Sequence, residues 1–231
     1  MGRRKEVALV VDVETAGFFG NCKVYDLGVA AVERTTGKII ESYSFVIHDV
    51  FFGMKRDMRT AYYKDKVPTY YAGIRSGEHI VAKFATARKR INALVQKYNV
   101  KRAYAYNAKF DRDALNNTLS IVSGGTESEF MPEGVEWCDI WHMACQSLLC
   151  QRKYRKFATE NNLISDAGNY RTTAEATYAY LTDTPGVEEA HTGLADVRIE
   201  TVILLAVLRL KKRVDESLVH NPWRIPQGVS V

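Results

Sequence analysis

The stretch that decides the fold is Val7-Ala8-Leu9-Val10-Val11-Asp12-Val13-Glu14-Thr15-Ala16-Gly17. Its first half is a short apolar and largely β-branched run, which predicts a strand buried on both faces of a sheet. Asp12 and Glu14 follow at i and i+2, so on a strand their side chains share one face. A divalent cation between them would remove their repulsion, because hard cations bind carboxylate oxygens. A strand that simply ends in a solvated acidic turn is the alternative, since Asp-x-Glu is a common pattern.

The composition is that of a globular chain with a mild basic excess. The 231 residues are 46% hydrophobic, which is enough for a substantial core. The net charge of +5 permits a polyanionic partner without requiring one. Four cysteines without a paired framework are typical of reduced thiols. The apolar runs are too short or too interrupted for a membrane span or a signal peptide, so we expect a soluble cytoplasmic protein.

Strands come first along the chain, and helices alternate with strands afterwards. Apolar alternation predicts strands at 24–32 and 39–47, joined by a hairpin turn. Helices are predicted after these strands at 79–98, 107–121, near 140–150, 152–162 and 173–182, and at 194–214. Two further short strands are predicted between them, at 103–106 and 135–139. We therefore predict one α/β domain over residues 1–214, with a mixed five-stranded sheet that is antiparallel in its first three strands and flanked by helices. Residues 215–231 form a tail that packs back through Trp223 or serves as a docking segment.

Residues 50–78 have an unusual composition. Paired aromatic residues alternate there with six Lys or Arg residues. Aromatic rings interleaved with cations are typical of surfaces that bind single-stranded nucleic acid. The alternative is a loop and a short helix whose tyrosines pack on the body of the protein and keep their hydroxyl groups in water.

Three more side chains stand where the chain returns to the same end of the sheet. Asp111 lies in the first turn of the helix after the 103–106 strand, and Asp196 lies in the first turn of the last helix. His191 precedes Asp196 by five residues, in a loop. Helix capping or first-turn electrostatics explains aspartates in such positions equally well, and Asp113 competes with Asp111 on that ground.

A rival metal site is conceivable in the 138–150 segment. The residue types of zinc ligands occur there in a set: Cys138, His142, Cys145 and Cys150. Their spacing matches no compact zinc pattern, and the apolar residues between them favour a core helix instead.

The three acidic motifs together resemble the DEDD exonuclease superfamily, specifically its histidine-bearing DEDDh branch. The motifs are Val11-Asp12-Val13-Glu14-Thr15-Ala16-Gly17, Tyr106-Asn107-Ala108-Lys109-Phe110-Asp111 and His191-Thr192-Gly193-Leu194-Ala195-Asp196. They occur in the family's order and span nearly the whole chain. The branch includes the DnaQ-like proofreading subunit of bacterial DNA polymerase III. The segment from Tyr62 to Tyr70, with residues 154–181, is most similar to exonucleases carried by bacteriophages, and a host cytoplasm would then be the location.

The resemblance implies a ribonuclease H-like fold and a 3′–5′ exonuclease that uses two Mg²⁺ or Mn²⁺ ions. On the family's pattern, Asp12, Glu14 and Asp196 hold one metal, Asp12 bridges to the second, and Asp111 completes the set. Ligation by oxygen alone fits these ions better than zinc. The substrate implied is the 3′ end of single-stranded DNA in preference to RNA, and a DNA polymerase is a conceivable partner. An RNA-trimming exoribonuclease and a non-catalytic nucleic-acid-binding module on the same fold are the alternatives.

The resemblance also implies a general base and a set of substrate contacts. His191 would take a proton from the attacking water, which suits an imidazole at neutral pH. The substrate contacts would come from Thr15, Ala16, Asn107 and Phe18 or Phe19. Ala16 is a departure, because the family often has threonine in that position, but the five charged positions are all present. We therefore expect an active enzyme.

Overall fold

A computed structural model describes residues 6–18, 20–188, 190–210 and 212–228. Its strands are β1 (Val7–Ala16), β2 (Lys23–Glu33), β3 (Ile39–Ile47), β4 (Ile80–Ala82), β5 (Arg102–Ala105) and β6 (Glu136–Asp139). Its α-helices are α1 (His48–Phe51), α2 (Lys55–Met58), α3 (Val67–Ser76), α4 (Phe84–Tyr98), α5 (Ala108–Val122), α6 (Ile140–Ala144), α7 (Arg152–Glu160), α8 (Ala174–Thr182) and α9 (Gly193–Arg209). Short 3-10 turns cover Lys64–Lys66 and Pro222–Arg224, and a π-helical turn covers Cys145–Leu149.

All six strands form one mixed sheet in the order β4-β3-β2-β1-β5-β6. The pairs β1–β2 and β2–β3 are antiparallel, and the other three pairs are parallel. The predicted α/β class and the antiparallel start of the sheet are confirmed. Because β1 and β5 are parallel neighbours, their carboxyl ends meet at the same edge of the sheet, where open α/β sheets bind ligands.

The sheet has a sixth strand that the sequence analysis assigned to a helix. Ile80–Ala82 pairs in parallel with the exposed edge of β3, although helical spacing predicts a helix over 79–98. α4 begins only at Phe84, whose backbone N–H donates to Asp49 Oδ2 at 2.7 Å. The free hydrogen-bonding edge of β3 and this side-chain cap together outweigh the helical pattern of the first few residues.

The two faces of β1 pack into two separate cores. Leu9, Val11 and Val13 belong to the core that includes residues of α4 and α5. Ala8 and Val10 belong to the core that includes residues of α6 and α9. Since side chains alternate along a strand, the next even positions, Asp12 and Glu14, face the α9 side.

Two glycines allow α9 to approach the sheet closely. A Cβ atom placed on Gly28 of β2 would lie 2.0 Å from the backbone carbon of Gly193, the first residue of α9. Gly28 is the register partner of Asp12. The backbone N–H of Gly193 also donates to Asp26 Oδ2 at 2.8 Å. These contacts fix the start of α9, and with it the third motif, beside the end of β1.

Residues 48–76 form a helical segment between β3 and β4. Within it Tyr70 is fully buried and donates its hydroxyl hydrogen to Asp26 Oδ2 at 2.7 Å. Tyr62 is 86% exposed, and Tyr71 is also exposed. Tyr70 therefore packs on the body of the protein with its hydroxyl group bonded to Asp26 instead of to water, and nucleic-acid contact by the exposed tyrosines stays a prediction.

The last helix and the tail depart from the sequence prediction in their boundaries. α9 ends at Arg209 rather than at residue 214, because the chain turns away to bond β6, where the Asp139 N–H donates to the Glu216 carbonyl at 2.9 Å. The tail packs back mainly through Glu216, which binds Arg34 and Tyr104, and through Gln227, which binds Tyr170. In the part of the chain that the structure describes, no helix is both long enough and apolar enough to cross a lipid bilayer.

Candidate active site

A cavity of about 350 Å³ lies at the carboxyl ends of β1 and β5. It contains all five charged residues of the three motifs: Asp12, Glu14, Asp111, His191 and Asp196. The remaining lining is Val13, Tyr63, Tyr106, Asn107, Phe110, Trp141, Thr172, Thr173, Ala174 and Glu200. Segments separated by almost the whole chain therefore bring their acidic groups into one place.

The first motif enters the cavity from β1. Asp12 and Glu14 project on the same face of the strand, and the β1–β2 register shifts between Glu14 and Thr15. Such a bulge re-aims the side chains beside it, and it is common next to active sites. Glu14 is buried, and Asp12 Oδ2 is buried as well.

The second motif enters from the junction of β5 and α5. Asn107 adopts a left-handed backbone with φ 69°, which asparagine tolerates better than most residues, and its N–H donates to Asp139 Oδ1 at 3.1 Å. This turn starts α5, so that Asp111 points back to β1 and accepts the Val13 N–H at 3.2 Å. The competing aspartate, Asp113, is instead ion-paired with Lys109 at 2.6 Å on the surface.

The third motif enters from the start of α9. Asp196 is buried in the first turn, and its N–H donates to the Thr192 carbonyl at 3.1 Å. Asp26, which accepts hydrogen bonds from Tyr70 and Gly193, is close enough to Asp196 to raise its pKa. The position of Asp196 therefore depends on the close contact between α9 and β2.

Besides the five charged residues of the motifs, the cavity contains a sixth charged residue, Glu200. It is buried one turn after Asp196, and its Oε1 accepts the Tyr106 N–H at 3.0 Å. The signal was available in the sequence, because residues four apart on a helix share a face and an acidic pair on an apolar helix is unusual. Sequence reasoning also missed Asp26 as a buried anchor.

His191 lies at the rim of the cavity on a loop with a left-handed backbone, φ 52°. The ring of Tyr63 stacks on its ring with centroids 4.0 Å apart and planes inclined by 14°. On the other side, Glu175 Oε1 lies 4.0 Å from His191 Nε2. Lys66 Nζ donates a hydrogen bond to the carbonyl oxygen of the neighbouring Ala190 at 2.5 Å. The 48–76 segment thus contacts the histidine loop through both Tyr63 and Lys66.

Burial and mutual repulsion favour the protonated forms of these carboxyl groups. Burial raises the pKa of Asp12 well above its usual value, and the negative charges of Glu200 and Asp111 raise it further. Burial raises the pKa of Asp196 to about 7, and the charge of Asp26 adds to the rise. Burial also lowers the pKa of His191, with the positive charge of Lys66 acting in the same direction.

The donor set fits a divalent cation. One potential ligand atom of each of Glu14, His191 and Asp196 lies within 4.8 Å of the other two. Asp12 Oδ2 and Asp196 Oδ1 are buried and accept no hydrogen bond from the described residues. Burying a carboxylate oxygen without a hydrogen-bond donor destabilises the folded protein. A cation bound among these oxygens would remove their mutual repulsion and give each of them a partner.

Most of the predicted substrate contacts lie outside the cavity. Asn107 lines the cavity, whereas Thr15, Ala16 and Phe18 are not among its lining residues. Ala16 is fully buried, and Phe18 is 75% exposed just beyond the end of β1. Phe19, the alternative to Phe18, lies outside the described residues.

The rival zinc set does not converge. Within the described ranges, the one group of three or more His, Cys, Asp or Glu side chains with ligand atoms so close together is the Glu14 group. Cys145 is buried in the core beside α6, and His142 Nδ1 lies 2.9 Å from the Ser217 carbonyl. The apolar spacing of this segment correctly indicated a core helix.

Comparisons with known proteins bear on the fold. No protein-family model matches the chain, and no curated protein matches it in sequence. Among solved structures, a full-length 3′-exonuclease matches with a TM-score of 0.57 and 12% identity, over 96% of this chain and 90% of that one. The nuclease domain of 3′hExo, a DEDDh family member bound to rAMP, matches with a TM-score of 0.53 and 11% identity, over 92% of this chain and 97% of that one.

This chain has the fold of the DEDDh exonucleases. E. coli exonuclease I in complex with a dA16 oligonucleotide shares it with a TM-score of 0.50 and 15% identity, over 86% of this chain and 40% of that one. The predicted ribonuclease H-like fold class is confirmed. At such low identity the likeness shows the fold alone.

Proposed function

We propose that the protein is a metal-dependent 3′–5′ exonuclease that removes nucleoside 5′-monophosphates from the 3′ end of single-stranded DNA. The observation that carries the proposal is the convergence of Asp12, Glu14, Asp111, His191 and Asp196 in one cavity. A chain with the DEDDh exonuclease fold and these five side chains at the same edge of its sheet has the groups that the reaction requires.

The carboxylates are suited to hold two Mg²⁺ or Mn²⁺ ions. Asp12, Glu14 and Asp196 would bind the first ion, and Asp12 together with Asp111 would bind the second. Ions held by these carboxylates would supply charge stabilisation for the attacking and leaving oxygens of an in-line displacement. Glu200 lies close enough to Asp12 to raise its pKa, so it adds to the negative potential that attracts the cations.

His191 is the proposed general base. Its lowered pKa keeps the imidazole neutral at neutral pH, so that it can accept a proton from water. A potential ligand atom of His191 lies within 4.8 Å of those of Glu14 and Asp196, so the imidazole would stand close to the bound cations. The loop position allows small adjustments of the ring when substrate binds.

Of the proposed substrate contacts, one lines the cavity and the others lie at and just beyond the end of β1. Asn107 lies in its wall, and the backbone of Thr15 and Ala16 follows directly after Glu14. Phe18 exposes its ring beyond them, where it can pack against a terminal base. We propose DNA rather than RNA because the motifs resemble a proofreading subunit and no 2′-hydroxyl reader is recognisable in the sequence.

A gel assay with 5′-labelled DNA and RNA strands in Mn²⁺, Mg²⁺ or EDTA tests the proposal. We expect a ladder that shortens from the 3′ end, faster for DNA, and no product in EDTA. Asp111→Ala should abolish the ladder, whereas Asp113→Ala, its surface neighbour, should leave it intact. Full activity of Asp12→Ala and His191→Ala would contradict the proposed mechanism.

Two other outcomes correspond to the alternative functions. Faster degradation of RNA would identify an RNA-trimming enzyme, in line with the description of 3′hExo as bound to rAMP. Binding without degradation under any metal condition would identify a non-catalytic module, against which the complete acidic set argues. A DNA polymerase as partner and a cytoplasmic location, in a host cell if a phage encodes the chain, remain predictions.

A further inference from the structure

A second cavity of about 600 Å³ lies on the segment that also contributes Tyr63 to the catalytic cavity. All of its lining residues lie between Phe51 and Tyr71, inside the 48–76 segment. Lys64 lines this second cavity, while the preceding residue, Tyr63, lines the catalytic one. Consecutive residues therefore line the two cavities.

The second cavity carries a net positive charge. Lys55, Arg59 and Lys64 line it together with one acid, Asp65. The three cations are exposed and take part in none of the ion pairs seen among the described residues. A concave surface with an excess of cations attracts polyanions.

Aromatic rings stand beside these cations. Phe52 and Tyr71 line the cavity edge to face, with ring centroids 6.2 Å apart. At the turn between the two cavities, the ring of Tyr62 contacts Tyr63 edge to face at 4.8 Å and is 86% exposed. An aromatic ring kept so open to water beside a cationic cavity has a free face on which an unpaired base can stack.

We propose that the second cavity binds the nucleotides that precede the 3′-terminal one on a single-stranded substrate. Lys55, Arg59 and Lys64 contact their phosphates, and Tyr62 and Tyr71 stack on their bases. This inference rests on the proposed function, because the strand it holds is the one whose 3′ end reaches the catalytic cavity. Unpaired bases are required, since a duplex offers no free faces to aromatic side chains.

A binding experiment tests the cavity independently of catalysis. The protein with Asp12→Ala in EDTA is titrated against fluorescein-labelled dT16, with and without the additional changes Lys55→Glu and Arg59→Glu. We expect the double reversal to weaken binding at least tenfold and to lower the slope of log K against log salt by about 1.4, since single strands lose about 0.7 per phosphate contact. Tyr62→Ala should weaken binding about fivefold or more.

The matched control is Lys89→Glu with Lys101→Glu, which makes the same change in net charge at exposed sites on α4 and before β5. It should change the affinity less than twofold. Equal losses in both double variants would mean that net charge alone determines binding, and this would overturn the proposal.

Substrate length separates this inference from the proposed function. The Lys55→Glu and Arg59→Glu changes are then made in the protein with native Asp12. They should reduce kcat/KM for dT16 about tenfold. Hydrolysis of a dinucleotide should be unchanged, because a dinucleotide is too short to fill the second cavity. An equal reduction for both lengths, or none for either, would overturn the proposal. If the protein cleaves no nucleic acid and its dT16 binding still depends on Lys55 and Arg59, the proposed function fails and the second cavity stands.

Discussion

The ring of Tyr63 lies flat against the ring of His191, with centroids 4.0 Å apart. Tyr63 belongs to the segment between β3 and β4, and His191 belongs to the loop before α9. Lys66 of the same segment holds the adjacent Ala190 carbonyl. The proposed general base is therefore positioned by a part of the chain that contributes none of the five motif residues.

Replacing Tyr63 should reduce catalysis through the orientation of His191. Tyr63→Ala removes the stacking ring, and we expect kcat on a dinucleotide to fall about three- to tenfold, since an aromatic pair contributes about 0.5–1.5 kcal/mol. Tyr63→Phe keeps the ring and should retain most of the activity. The pH profile of kcat should shift in Tyr63→Ala, because the imidazole becomes more exposed. A uniform loss in both variants with an unchanged profile would rule out this positioning role.

Neutralising Glu200 should stabilise the metal-free protein. Glu200→Gln keeps an oxygen acceptor for the Tyr106 N–H and removes one of the charges that raise the pKa of Asp12. We expect the Tm in EDTA to rise by about 2–4 °C, which corresponds to roughly 1 kcal/mol in a chain of this size. Calorimetric titration should show weaker Mn²⁺ binding. A lower Tm in EDTA would mean that the charge of Glu200 is needed for folding.

The metal-free protein should lose stability as the pH rises through neutrality. The folded-state pKa of Asp196, about 7, lies above the value of about 3.9 expected in the unfolded chain. Stability from the protonated form is therefore fully present below about pH 3.9 and is lost as the pH rises through about 7. Thermal unfolding in EDTA between pH 5 and 8 measures this loss, which we expect to be on the order of 1 kcal/mol or more. Added Mn²⁺ should raise the Tm more at pH 8 than at pH 5.5.

Asp196→Asn isolates that contribution from the opposing one of His191. The pKa of His191 is lowered on folding, so its contribution to stability is lost as the pH falls below about 6.5. The difference between Asp196→Asn and the unchanged protein cancels this histidine term. If both proteins show the same pH dependence in EDTA, Asp196 does not titrate in this range.

The contact between Gly28 and Gly193 should tolerate no side chain. Gly28→Ala places a Cβ 2.0 Å from the backbone of Gly193, so α9 must move away from β2. We expect a loss of about 3 kcal/mol or more in the free energy of unfolding. Gly134→Ala is the control, because a Cβ there meets no atom within 4 Å and only its left-handed backbone, φ 83°, is penalised, by about 1 kcal/mol. Denaturant titration of both variants measures the difference.

The sequence was sufficient to predict the fold class because its strongest patterns are local. The β-branched run before Asp12 and the hairpin before Ile39 predict the strands that form the centre of the sheet. Strand β4 was missed because three apolar residues at the start of a helical pattern carry no information about a free edge on β3. That edge exists only once β3 is in place.

The candidate site could be predicted only where residues follow an ordered motif. Asp12, Asp111 and Asp196 converge because Asp12 lies in the second half of β1 and the other two lie in the first turns of helices at the same edge of the sheet. The stacking of Tyr63 on His191 joins segments more than a hundred residues apart and depends on how the 48–76 segment docks. Glu200 was within reach of sequence reasoning, since it lies one helical turn from Asp196.

The stack of Tyr63 on His191 offers a route to inhibition that avoids the proposed metal ligands. The acidic groups lie on strand β1 and on the helices that pack against the sheet, whereas the histidine lies on a loop and contacts Tyr63 at the rim of the cavity. A flat, uncharged compound inserted between the two rings would displace the base and leave the carboxylates untouched. Such a compound would not need the strongly anionic groups that chelating nuclease inhibitors carry, and selectivity would come from a tyrosine outside the shared motifs.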